Sequence, residues 1–264
     1  MNELGQAVRD ALLTPDPRAK VMATRALVRA WRSGRLTPRF TMPMPERPAW
    51  PAGLDLRPAR DMPRRGRGGS DSNRVALWHS IAHIEFVAID LALDMAGRFG
   101  GEMGAGADFV SDFLSVAADE AMHFALINRH LAQLGSFYGA LPVHDGLWEA
   151  SHATRHDVAA RLAIVPMVLE ARGLDVTPAT ILRVHGQGDE RGARILERIL
   201  VDEIRHVRTG VTHFETVAQS RGLDPRTCWT AMVNAHFGGS LKAPFNDSAR
   251  CAGGLPRDFY AALA

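Results

Sequence analysis

Asp119-Glu120-Ala121-Met122-His123 and Asp202-Glu203-Ile204-Arg205-His206 spell one pattern twice, an aspartate followed by Glu-x-x-His. A lone glutamate precedes each copy: Glu85 stands 120 − 85 = 35 residues before the first pair, and Glu170 stands 203 − 170 = 33 before the second. The two halves therefore run almost in register. Glu and His three residues apart share one face of a helix. A four-helix bundle giving a Glu from each of two helices and Glu-x-x-His from each of the other two carries the ligand set of a two-metal carboxylate site. This predicts an all-α chain with Glu85, Glu120, His123, Glu170, Glu203 and His206 as metal ligands.

A single Glu-x-x-His carries little weight. With 11 Glu and 11 His in 264 residues, chance supplies about half an occurrence. The third copy, Glu149-Ala150-Ser151-His152, shows the hazard. On one helix with Glu170 it would lie about 31 Å away, too far to serve the same site. The two retained copies also share the leading aspartate. Asp119 and Asp202 are expected to accept a hydrogen bond from the non-ligating nitrogen of a histidine, which fixes its tautomer and raises its basicity.

The frames around the ligands are apolar. Trp78, Ile81, Ala88, Ile89 and Ala92 flank Glu85 at helical offsets, and an isolated buried carboxylate there is too costly unless paired or metal-bound. Phe113, Val116, Ala117, Phe124 and Ile127 frame Glu120 and His123, while Leu196, Ile199, Leu200 and Val207 frame Glu203 and His206. Gly210, on the same stripe, is expected to leave room near a metal or substrate. Pro166 precedes Glu170 by one turn and removes a backbone hydrogen bond, which predicts a kink or bulge. Carboxylates and imidazoles without thiolate suit iron first and manganese second. Four carboxylates would cancel the charge of two divalent ions.

The chain is 46% hydrophobic and long enough for a sizeable core. Its net charge of +2 conceals an asymmetry: residues 1–70 hold 14 basic against 6 acidic side chains, a balance of +8, and the remainder holds 17 against 23, a balance of −6. Such an arm can bind nucleic acid or an anionic surface, or pack on the acidic bundle of its own chain. Without interleaved aromatics, self-packing is favoured. Cys228 and Cys251 read as reduced, partly buried thiols. The N-terminal residues lack a basic segment leading into an apolar core, and no uninterrupted apolar stretch approaches a membrane span, so a cytoplasmic, soluble protein without membrane contact is expected.

Periodicity and breakers predict short helices over 2–13 and 17–33, then a proline-rich irregular stretch over 37–70 that wraps the bundle. The bundle helices are expected over 72–98, 107–134, 148–172 and 188–221, with Asp71 or Ser72 capping the first. A further helix is expected over 224–236. The organisation is thus an arm at 1–70, a bundle at 71–222 and a C-terminal helix and tail at 223–264. His79 and His83 point about 120° and 160° away from Glu85 around their helix. They read as hydrogen-bonded core residues, as do His130 and His213.

Ala82-His83-Ile84-Glu85, the segments 118–124 and 144–149, Val165 through Asp175, and Pro244-Phe245-Asn246 resemble bacterial ferritin-like proteins grouped as a domain of unknown function. The resemblance spans nearly the whole chain and implies a ferritin-like four-helix bundle with a di-iron carboxylate centre, here with an N-terminal helical and extended arm and an extra C-terminal helix. Asp202 through His206 is also similar to a segment of bacterial di-iron monooxygenases, although Met122 replaces the corresponding arginine in the first half. The layout looks like that of a tRNA hydroxylase acting on isopentenyl-adenosine.

These readings point to an oxidoreductase that activates O₂ at two iron ions and oxidises an unidentified small molecule. No Gly-x-Gly-x-x-Gly fingerprint is present, so a separate electron donor is expected. A tRNA-modifying hydroxylase and a non-catalytic iron-binding or detoxification protein are the alternatives. Radical generation is disfavoured, because Tyr138 and Tyr260 are the chain's two tyrosines and neither falls on a bundle helix beside a ligand.

Overall fold

A computed structural model describes residues 2–63, 70–103 and 108–263. Position 107, the expected start of the second bundle helix, and positions 64–69 of the basic arm lie outside the described residues. The fold is all-α, and the chain divides into two compact units, residues 1–148 and 149–264.

In the first unit, α1 (Leu4–Leu12) buries Leu4, Val8, Ala11 and Leu12, a spacing that lines one helical face. The residues before it, Asn2–Glu3 (β1), pair in parallel with Leu36–Thr37 (β2). Asp16 caps α2 (Pro17–Arg32) by accepting the Ala19 N–H at 2.7 Å, with Pro17 at the first helical position. Helix α3 (Asp71–Phe99) is capped by Ser70 rather than by Asp71 or Ser72. Nearly every side chain of α3 from Trp78 onward is buried. It packs on α4 (Asp108–Gln133), and α1 and α2 pack on this pair.

Helix α3 is long and apolar enough to cross a membrane by length and composition, although polar residues interrupt its apolar run; 67% of its most apolar window is buried inside the protein. It also carries three buried acids, Glu85, Asp90 and Asp94. The arm answers Asp90 directly and Asp94 through Arg98 of α3 itself. Lys20 Nζ meets Asp90 Oδ1 at 2.5 Å and donates to the Leu12 and Ala49 carbonyls, and Trp50 Nε1 donates to Asp90 Oδ2 at 2.9 Å. Arg98, itself bonded to the Pro45 carbonyl, chelates Asp94. A Cβ on Gly97 would lie 2.5 Å from Met44 Sδ, so the glycine admits the arm.

The loop after α4 is anchored on α3 by the two histidines predicted to face away from Glu85. His79 Nε2 accepts the Gly139 and Leu141 N–H groups at 2.9 and 3.3 Å. Burial, above all, pushes the His83 pKa down to about 4, so its ring is neutral near pH 7. Its Nε2 lies 3.0 Å from the His144 carbonyl and must donate, which leaves Nδ1 to accept the Tyr138 hydroxyl at 3.0 Å.

The second unit departs from the expected single helix over 148–172. Helix α5 (Gly146–Ala153), within which the division between units falls, stops where Thr154 Oγ1 turns back on the Ala150 and Ser151 carbonyls. Asp157 then caps α6 (Val158–Ile164) through the Ala159 N–H. The expected irregularity at Pro166 is a π-helical segment, Val165–Glu170.

Beyond the π segment the chain continues as α7 (Ala171–Gly186) through Gly173 and Pro178. Pro178 cannot donate to the carbonyl four residues back, at Leu174. The Asn246 side chain supplies that bond at 3.1 Å, so the helix survives its proline. Buried Arg250 grips buried Asp175 with two bonds of 2.8 and 2.7 Å, fixing α10 (Asp247–Ala252) beside α7. Helix α8 (Glu190–Ser220) packs on α7 and α6. In α9 (Pro225–His236) the fully buried Trp229 donates to the Ala163 carbonyl, and α11 (Arg257–Tyr260) closes the unit. Both cysteines are free; Cys228 is buried, whereas Cys251 is exposed.

Candidate metal centre

Glu85 projects from α3, and Glu120 and His123 project from α4, its packing partner. His123 Nδ1 lies 3.2 Å from Glu85 Oε2 and 3.4 Å from Glu120 Oε2, and the ligand atoms of all three lie within 4.8 Å of one another. All three are buried. The apolar positions that framed them in sequence, including Phe113, Val116, Ala117, Phe124 and Ile127, are buried on α4.

The electrostatics of this half fit a cation. Burial opposes charge on His123, but the hydrogen bonds and charges of Glu120 and Glu85 outweigh it and hold the imidazole pKa up at about 11. Two buried carboxylates thus draw positive charge to one point, where a proton on His123 and a metal ion are alternatives. A buried carboxylate–histidine cluster able to hold a metal ion is therefore present.

The second unit carries the other copy of the pattern. Glu203 and His206 are buried one turn apart on α8, with Glu203 Oε2 3.6 Å from His206 Nδ1. Glu170, half-buried, is the last residue of the π segment, which packs on α8. The space at Gly210 is not left for a metal or substrate: a Cβ there would meet Pro166 Cβ and Cγ at 2.3 and 2.4 Å. Gly210 lets the proline ring seat on α8 and so sets the position of the segment that ends in Glu170.

Substituting Gly210 by alanine is accordingly expected to destabilise the protein by about 1–3 kcal/mol through overpacking. That loss must first overcome the gain of about 1 kcal/mol that alanine brings to a helix interior. Thermal unfolding checks it; an unchanged or raised midpoint would show that the proline contact is not tight.

Asp202, expected to support a histidine, is gripped by Arg198 at 2.7 Å and by Arg205, both on its own helix. Among the aromatic side chains, Tyr138 escaped notice as a neighbour of the site's flanks. Its ring centroid lies 5.1 Å from that of Phe86 and 5.3 Å from that of Phe124, the residues following Glu85 and His123. A loop tyrosine gives no periodic signal, so sequence spacing could not have placed it.

No solved structure matches the chain. An uncharacterised Haemophilus influenzae protein is 42% identical over 200 residues, covering 74% of this chain and 69% of that protein. The family described as protein of unknown function (DUF455) matches residues 13–261. With a family match over nearly its whole length and a relative of this identity, the chain belongs to the DUF455 family.

Proposed function

We propose that the chain is a ferritin-like, di-iron carboxylate oxidoreductase that activates O₂ to oxidise or hydroxylate an organic substrate. Glu85, Glu120 and His123 would form one half of the centre, with Glu170, Glu203 and His206 as the other. Iron is the expected metal and manganese the second. The observation that carries the reading is the buried meeting of Glu85, His123 and Glu120, whose spacing and apolar frame recur at Glu203 and His206. Hard oxygen donors with imidazole suit iron, and four carboxylates match two divalent charges in a dry core.

When bound, two iron ions would supply the reduction of O₂ and the oxidising power. The chain's own residues would hold the ions, balance their charge and exclude water. Glu120 and His123 are held rigidly on α4, whereas Glu170 ends a π segment. A π turn is a recurrent feature of functional sites in helices. The electrons would come from a separate donor, and the substrate would be a small organic molecule.

The test is anaerobic reduction of the iron-loaded protein followed by mixing with O₂. A transient change in near-ultraviolet and visible absorbance, absent from the metal-free protein, is expected. An iron-loaded protein that gives no response to O₂ would discard oxygen activation and leave a non-catalytic iron-binding role.

A further inference from the structure

Helix α2 has no acidic side chain, and its five cations are treated in two opposite ways. Lys20 is buried against Asp90, so part of the arm's basic excess serves packing, as its charge balance suggested. Arg18, Arg25, Arg29 and Arg32 are all exposed. Their spacings of seven, four and three residues keep them within about 60° of arc at 100° per residue. The row they form is about 21 Å long.

No carboxylate among the described residues lies within ion-pair distance of these four arginines. Arg32 reaches only the neutral Ser115 hydroxyl, at 2.7 Å. Four other arm cations are paired, Arg39 with Glu3, Arg47 with Asp145, Arg57 with Asp55 and Arg60 with Asp61, while Arg9 and Arg35 meet the Pro43 carbonyl and the Ser33 hydroxyl. Helix stability accounts for only part of the row: Arg29 and Arg32 sit in the last turn, where cations suit the helix dipole, and Asp16 caps the first, whereas Arg18 and Arg25 gain nothing from the dipole and arginines four and three residues apart repel one another. The fold thus leaves an ordered line of positive charge facing outward.

We propose that this face of α2 binds the phosphodiester backbone of a nucleic acid. Guanidinium groups bind phosphate oxygens through paired donors, and a row of them follows a chain of regularly spaced phosphates. The row contains no aromatic side chain, so it positions the nucleic acid without reading bases. An anionic membrane is a poorer match. The apolar side of α2, with Val21, Leu27 and Val28, is buried inside the protein, and the lone exposed Met22 is far short of the apolar face that a lipid-inserting helix presents. This binding does not depend on the metal centre and holds for metal-free protein.

Fluorescence anisotropy of the full chain with a labelled RNA hairpin and a labelled DNA duplex, titrated between 50 and 200 mM KCl, tests the proposal. With four phosphate contacts, duplex affinity falls about a hundredfold over that range, a log–log slope near −4. R18Q/R25Q lowers the slope by about 2, whereas replacing all four arginines by lysine preserves it. Circular dichroism of the variants confirms the fold. No binding, a slope unchanged in R18Q/R25Q, or binding to phosphatidylserine vesicles but to neither nucleic acid would overturn the proposal.

Discussion

Lys20→Met is expected to lower the unfolding free energy by about 3–5 kcal/mol, the usual cost of removing one partner from a buried ion pair. Lys20 and Asp90 are both fully buried, and the ammonium also satisfies the Leu12 and Ala49 carbonyls. Burial pushes both groups toward their neutral forms: it lowers the Lys20 pKa and raises that of Asp90 to about 6, with their mutual attraction opposing each shift. Methionine fills much of the same volume, so the loss reports charge rather than a cavity.

Two controls separate these causes. K20M/D90N should recover most of the loss, because asparagine removes the stranded charge and keeps an acceptor for Trp50. The K20M deficit should also shrink on acidification. Without the ammonium, the Asp90 pKa in the folded state rises further above its unfolded value. The folded state then takes up a proton, and stability rises as pH falls through that higher pKa. Urea melts at pH 5 and pH 8 measure both effects, and a deficit equal at the two pH values would point to packing instead.

Glu120→Ala and Glu203→Ala, one in each half of the proposed centre, should each weaken metal binding by more than about 100-fold, beyond the ~10–100-fold typical of a residue that merely supports a ligand. Removing one carboxylate leaves the two divalent ions with uncompensated positive charge in a buried place, so loss in one half should empty the other as well. The metal-free variants should not be destabilised in proportion. In the first half, Glu120 and Glu85 share one imidazole, and deleting one carboxylate relieves repulsion. E120A should therefore unfold at a temperature no lower than metal-free wild type. Metal analysis after dialysis, with thermal melts of the same samples, measures both. A variant that keeps full metal content would remove its residue from the ligand set.

The Glu120–His123 part of the buried cluster was legible because its signals are local. Glu120 and His123 share a helix turn, and the residues around them on α4 are apolar at helical spacing. The bounds of α3, α4 and α8 fall close to their expected positions for the same reason. In the second unit the backbone was less legible. The helix expected to end at 172 is followed by α7, which runs through Gly173 and Pro178 to Gly186 because Asn246, 72 residues from Leu174, satisfies the carbonyl that proline orphans. Gly210 read as open space because sequence could not show that Pro166 fills it. Likewise Lys20 and Asp90 are 70 residues apart, and nothing local marks them as partners. An aspartate inside an apolar helix announces the need for a partner, not its identity.

The central claim is one two-metal centre built from both halves of the doubled pattern. Anaerobic titration of metal-free wild-type protein with Fe(II), alongside E120A/E203A, tests it most directly. Saturation at about two ions per chain in the wild type, the number such a ligand set holds, together with its loss in the double variant, is the predicted result. Wild-type binding no greater than that of the double variant would contradict it.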